Sequence, residues 1–345
     1  MNLQKKLKKL GIEEIRKLDN ESIRIIAVNV TEALTKAFPF LYDEYNNMLI
    51  KLLNCQMYVA KITKAISKVN YIYEDNSIYF DEQLNLNLLT DQMIHECIHY
   101  LQDYRNIRGN LEKIGLCNFE DFSIYGLGLN EATVQYISSV AIGNTDTTIE
   151  KYGVRIRTVS PNYYPFLTNL IEQIIYLIGE DILLKSTIIG DKEFEDFFLN
   201  TFEENTKKII RNFDEIVELN NKLNIEQDAN KIEMLKQQMV SVYTQTQNII
   251  FSTYFEKICS RLTSSHEIDF YLEKAINYKD KMGVVMAERF SPDTFYDVEI
   301  EEISKLFDRR LIQISRERGK NTLSIIRTGD KIMGLIRRVL SYFTT

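Results

Sequence analysis

His95, Glu96 and His99 stand together in the stretch MIHECIHYLQ, within a chain of 345 residues that contains three histidines in all. Two residues four apart on an α-helix project from one face, a turn apart, so imidazoles at His95 and His99 can hold one metal ion through a ring nitrogen each. Glu96 lies about a hundred degrees round the helix from His95. From there it is poorly placed as a third ligand but well placed to act on a water at the metal. The spacing therefore separates two roles, with His95 and His99 as ligands and Glu96 as general base. With histidine this scarce, composition alone yields His-Glu-x-x-His about once in several hundred such chains.

A catalytic zinc normally takes three protein ligands and leaves a fourth position for water. His266, in SSHEIDFY, is the one histidine left and lies far downstream. An acidic candidate is Glu131 in GLGLNEATVQY, at the start of the next helix that the sequence predicts. A carboxylate there would cut the charge of a divalent site by one.

The elements that must position these groups are readable from apolar spacing. Leu89, Met93, Ile94, Ile98 and Leu101 predict a helix around the motif, with Thr90 or Asp91 as its cap. Just before it, VNYIY and SIYF flank Glu-Asp-Asn and predict a hairpin. A loop containing Gly109, Gly115, Gly126 and Gly128 leads into a helix at LNEATVQYISSVAIG that ends near Gly143. TVSPNYYPFLTNLIEQIIYLIG predicts a loop and then a helix, with Pro161 and Pro165 near its start. At the N-terminus, Leu3, Leu7, Leu10, Ile15 and Leu18 predict a packing helix, and residues 21–66 read as mostly helical with a break at Pro39. From Asp191 to Met282 there is neither proline nor glycine, and Ile232, Leu235, Met239 and Val242 repeat in a 3-4-3 pattern, which predicts long packed helices. The expected class is mainly α (α+β). A first domain over 1–200 has its core at about 55–185 and N-terminal helices over 1–54, and a helical domain follows over 201–345.

Composition narrows the partners. Hydrophobic residues make up 45% and charged residues 26%, the profile of a globular chain, and the formal charge of −7 argues against a nucleic-acid binder. Cys55, Cys97, Cys117 and Cys259 form no CxxC pair, as in a reducing compartment. The N-terminus lacks the apolar core of a signal peptide. LTNLIEQIIYLIGEDILL is interrupted by Glu172, Glu180 and Asp181 and reads as a buried helix, not an integral membrane segment. The expected location is cytoplasmic, although signal-less export would leave no trace. Arg309, Arg310, Arg316, Arg318, Lys320, Arg327, Lys331, Arg337 and Arg338 make the C-terminal stretch basic, which reads as a solvated helix face or a patch for an anionic partner.

HECIH followed by NEATVQ resembles the gluzincin metallopeptidases, whose thermolysin-like members pair a His-Glu-x-x-His helix with an Asn-Glu-Ala-type helix. The resemblance covers roughly residues 55 to 185. It implies His95, His99 and Glu131 as zinc ligands and Glu96 as the base. It also implies a mixed sheet before the active-site helix whose edge strand lines the substrate cleft, a place that NSIYFDE fits. In the thermolysin pattern an aspartate four residues after the glutamate ligand supports a zinc-bound histidine. Gln135 occupies that position here, and Asp103 is the other residue that could serve. Tyr125, Tyr163 and Tyr164 are the candidates for stabilising the transition state. Cys97 points away from the histidine face. Peptide deformylases share the His-Glu-x-x-His helix but need an upstream cysteine in a Gly-Cys-Leu-Ser setting, which Cys55 in LLNCQMY does not match. The expected activity is zinc-dependent hydrolysis of a peptide or protein substrate. The alternative is an inactive zincin-like binding or regulatory protein that meets a protein partner through its helical C-terminal half.

Overall fold

The structure, a computed structural model, describes residues 3–64, 67–105, 109, 111–120, 123–190, 192–282, 285–286 and 295–317. The fold is mainly helical with a small mixed sheet. The chain opens with α1 (Leu3–Leu10), β1 (Ile12–Lys17), α2 (Asn20–Ala37), α3 (Tyr45–Leu53) and β2 (Gln56–Ile62). The expectation of one N-terminal helix through Leu18, and of helices throughout residues 1–54, is therefore corrected. Gly11 takes φ +70°, a left-handed conformation that stops the helix, and the chain leaves it extended. Pro39 begins a 3₁₀ segment between α2 and α3.

β3 (Val69–Ile72) and β4 (Ser77–Asp81) form the expected hairpin. The sheet order is β1-β2-β4-β3, with β2 and β4 parallel and both outer pairs antiparallel. This places the NSIYFDE strand inside the sheet and not at its edge. All five residues of β4 are buried, as a strand paired on both sides and covered on both faces requires. The edges are β1, whose Glu13, Glu14, Arg16 and Lys17 discourage further pairing, and β3. Leu7, Ile12, Ala60, Ile72 and Tyr79 cluster on one face of the sheet, and the main core lies against the other.

That main core is built around α4 (Asp91–Gln102), which carries the histidine motif and packs on β3 and β4. Thr90 caps it by accepting from the Met93 amide at 3.2 Å. Lys51 closes the other end, its Nζ donating to the carbonyls of Leu101 (2.8 Å) and Asp103 (2.9 Å). The glycine-bearing stretch expected as a loop is instead an antiparallel meander of β5 (Asp103–Arg105), β6 (Leu111–Ile114), β7 (Cys117–Glu120) and β8 (Ser123–Tyr125). It delivers the chain to α5 (Leu127–Ala141), the helix of Glu131, which lies against α4. A hairpin of β9 (Thr147–Lys151) and β10 (Val154–Thr158) then leads to α6 (Pro165–Ile178).

The remaining helices are α7 (Glu180–Ile188), α8 (Glu193–Phe202), α9 (Thr206–Ile225), α10 (Ala229–Arg261), α11 (Ser265–Met282) and α12 (Phe295–Glu317), with a two-residue strand β11 (Val285–Met286) on β10. The glycine- and proline-free stretch is helical as its composition predicts. These helices pack straight onto the earlier part of the chain, α9 on α5 and α10 on α6, and one hydrophobic cluster runs from Leu18 to Ile314. No described helix is long and apolar enough to cross a membrane. Of the basic C-terminal residues, Arg310 donates to the Leu262 carbonyl at the end of α10, whereas Arg318, Lys320, Arg327, Lys331, Arg337 and Arg338 lie outside the described residues.

Candidate metal centre

α4 and α5 bring His95, His99 and Glu131 face to face. The two histidines are buried, and their Nε2 atoms stand 3.0 Å apart with the rings crossed at 73°. The Glu131 carboxylate straddles them, with Oε2 at 3.4 Å from His95 Nε2 and Oε1 at 3.3 Å from His99 Nε2. Zinc bonds of about 2.0–2.2 Å at tetrahedral angles place ligand atoms roughly 3.3–3.5 Å apart. Two sides of the triangle are of that size and the third, between the imidazoles, is shorter at 3.0 Å, and two imidazoles with one carboxylate are a donor set that suits a divalent transition metal. Among the described residues these three form the one group of histidine, cysteine or carboxylate side chains close enough to hold a metal ion. His266 starts α11, exposed and apart from them.

The electrostatics reflect the same crowding. Burial pushes the Glu131 carboxyl up, but His99 and His95 outweigh it and hold the group far below the usual carboxylate range. Burial works against charging His99, yet the Glu131 carboxylate, Glu96 and a hydrogen bond that His99 donates to Gln102 leave its pKa raised. A negative charge already aimed at both imidazoles is what a cation between them would meet.

Glu96 stands beside this triangle as its position on the helix predicts. Its Oε2 accepts from the Tyr71 amide of the edge strand β3 at 2.8 Å. Burial raises its pKa, against the pull of both histidines and that amide. The strand beside the base is thus β3, the first arm of the hairpin and not the second. β3 is itself pinned to the end of α4, because the Tyr71 hydroxyl donates to Asp103, which also takes Arg105 Nε at 2.7 Å. Asp103 is therefore committed to the strand and does not support an imidazole.

Gln135 does not support one either. It is buried and donates to Ser139 Oγ (3.1 Å) and Ser160 Oγ (3.0 Å), and Ser160 Oγ donates in turn to the Tyr163 carbonyl at 2.7 Å. The residue expected to orient a histidine anchors the loop before α6 instead. His95 Nδ1 is buried without a partner among the described residues. His99 is served by Gln102, whose Oε1 accepts from Asn130 of α5 at 3.2 Å.

The loop held by Gln135 sorts the tyrosines. Tyr164 sits at its end with φ +47°, a left-handed conformation rare for a large side chain, and feels both Glu131 and Glu96. Burial, reinforced by those two carboxylates, pushes its phenol far up, so it stays protonated. Tyr163 is turned toward Gln92 near the start of α4. Tyr125 ends β8 near Arg211 and Asp214 of α9, whose charges act on its phenol. Cys97 is buried in the core.

Set against protein-family models, curated proteins and solved structures, the chain matches none. Its chemistry is therefore read from its own side chains.

Two further groups fix the helix of Glu131 and the loop of Tyr164. Asp214 of α9 accepts from the amides of Gly126 (3.1 Å) and Gly128 (2.7 Å), capping the helix that bears Glu131 from the far half of the chain. Glu172 of α6 accepts from the Val159 amide at 2.9 Å, fixing the start of the Tyr164 loop. Burial pushes the Glu172 pKa up to about 8, well above an ordinary glutamate. Because the folded value is the raised one, its contribution is intact below the unfolded pKa and is lost as pH climbs through about 8. The melting temperature should fall between about pH 4.5 and 8 by an amount equivalent to about 5 kcal/mol, and Glu172→Gln should flatten the slope. An unchanged slope in thermal melts of Glu172→Gln would assign the pH dependence elsewhere.

Proposed function

We propose that the chain is a zinc-dependent peptidase with a gluzincin-type active site. The observation that carries this reading is the convergence of His95, His99 and Glu131 from two helices at zinc-ligand spacing, with Glu96 beside them. These three residues would hold the ion, and a bound zinc would supply polarisation of a carbonyl and a water acidified toward neutrality.

The chain's own groups supply the rest. Glu96 takes a proton from the attacking water through Oε1, because the Tyr71 amide holds Oε2. Its raised pKa makes it a stronger base than an exposed carboxylate. As the water oxygen bonds to the scissile carbon and the carbon–nitrogen bond breaks, Glu96 returns that proton to the departing amine. Tyr164, protonated and beside both carboxylates, donates to the oxygen on which negative charge develops. β3 offers the extended edge along which a peptide can lie, placing the scissile bond over Glu96.

The test is cleavage of an unfolded protein by the zinc-loaded chain, with and without chelator, in Tyr164→Phe and Tyr125→Phe beside the parent. The reading predicts chelator-sensitive cleavage, slowed about a hundredfold by Tyr164→Phe and untouched by Tyr125→Phe. Absence of cleavage from zinc-loaded, folded protein across several unfolded substrates favours the binding-protein alternative.

A further inference from the structure

Tyr71 is held at two points along α4. Its amide donates to Glu96 Oε2 at 2.8 Å, and its hydroxyl donates to Asp103 Oδ2 at 2.5 Å, just past the helix end. The hydroxyl also stands 2.9 Å from Asn76 Oδ1 in the hairpin turn, but its one proton goes to the closer, charged partner. Burial and then the Asp103 carboxylate push the Tyr71 phenol far above its ordinary range, so it stays a donor.

Asp103 is a firm anchor. Its side chain is 3% exposed, Arg105 grips both carboxylate oxygens at 2.7 Å, and Lys51 Nζ holds its carbonyl at 2.9 Å. Arg105 also donates to the Tyr73 carbonyl just after β3, and Gln92 Oε1 accepts from the Lys68 amide at 3.2 Å just before it. β3 is thus tied along α4 at its start, middle and end, and the middle tie reaches the base.

These ties matter because β3 is a four-residue edge strand that pairs with β4 alone. A short edge strand opens easily when little else holds it. Fixing the Tyr71 hydroxyl resists rolling of the residue about the strand axis, so its N–H keeps its aim at Glu96. With Oε2 held, the carboxylate keeps one orientation and Oε1 is left for the water. Misplacing a reacting group by about 1 Å can cost about a hundredfold in rate.

We propose that Asp103 and the Tyr71 hydroxyl are positioning groups for Glu96, keeping the base in its working orientation through β3. The proposal rests on the peptidase reading.

The test compares zinc-loaded Tyr71→Phe and Asp103→Asn with the parent and with Tyr79→Phe. Tyr79 is the control because its hydroxyl also makes a hydrogen bond within the hairpin, to Asp75 at 2.7 Å, on the sheet face away from α4. Tyr71→Phe and Asp103→Asn should each lower kcat about tenfold, with KM within about twofold and zinc content unchanged. Hydrogen exchange across residues 69–72 should quicken about tenfold in both. Tyr79→Phe should keep the parental kcat. Parental kcat or unchanged exchange in either folded variant, or an equal loss in Tyr79→Phe, would overturn the positioning role and leave the peptidase reading standing. Absence of chelator-sensitive cleavage by the parent would overturn both.

Discussion

Glu96→Gln is expected to take up zinc as the parent does and to hydrolyse peptides about a thousandfold more slowly. The substitution keeps the size and shape of the side chain. Its amide oxygen can still accept from the Tyr71 amide, so β3 and α4 keep their contact. The three groups that would hold the ion are untouched, because Glu96 is not one of the side chains that converge there. What disappears is a proton acceptor that burial has made more basic. Zinc content and single-turnover cleavage measured on one preparation separate the two effects. Parental turnover by the carefully purified variant would remove Glu96 from the mechanism.

The second large effect is expected far from the chemistry. Gly128→Ala should cost about 3 kcal/mol of stability and weaken zinc binding. A Cβ at Gly128 would fall inside the backbone of Phe213 and Asp214, so α5 and α9 would have to separate. Separation also breaks the two amide bonds by which Asp214 caps α5, the helix that holds Glu131 against the histidines. Asp214→Asn tests the same clamp more gently, with an expected loss of about 1 kcal/mol and a smaller drop in zinc affinity. Urea melts and zinc titrations report the two quantities independently. Undiminished zinc affinity in both variants, in folded protein, would mean that the helical half does not position Glu131.

The centre is legible in the sequence to the extent that its signals are local. The helices of HECIH and NEATVQ announce themselves through apolar spacing and, for α4, through the Thr90 cap, and both stand where that spacing puts them. Ile15 and Leu18 misled because they continue the near-helical spacing of Leu3, Leu7 and Leu10, while the structure makes Ile12–Lys17 an edge strand. Which arm of the hairpin forms the sheet edge depends on β2 pairing with β4, a non-local choice that alternation within VNYIY and SIYF does not encode. Gln135 was read for what a family pattern puts at its position. Its partners, Ser139 and Ser160, are set by how the loop folds back. Asp214 lies 86 residues from Gly128, and only the paired glycines of GLGLNE hint that another backbone comes close.

The most direct measurement is the metal content of protein purified without added metal or chelator, for the parent, His95→Ala and Glu131→Ala. About one zinc per chain in the parent, lost in both variants, is the predicted result. No zinc in the parent even after zinc is offered, or zinc retained by Glu131→Ala, would contradict a three-ligand centre built on α4 and α5.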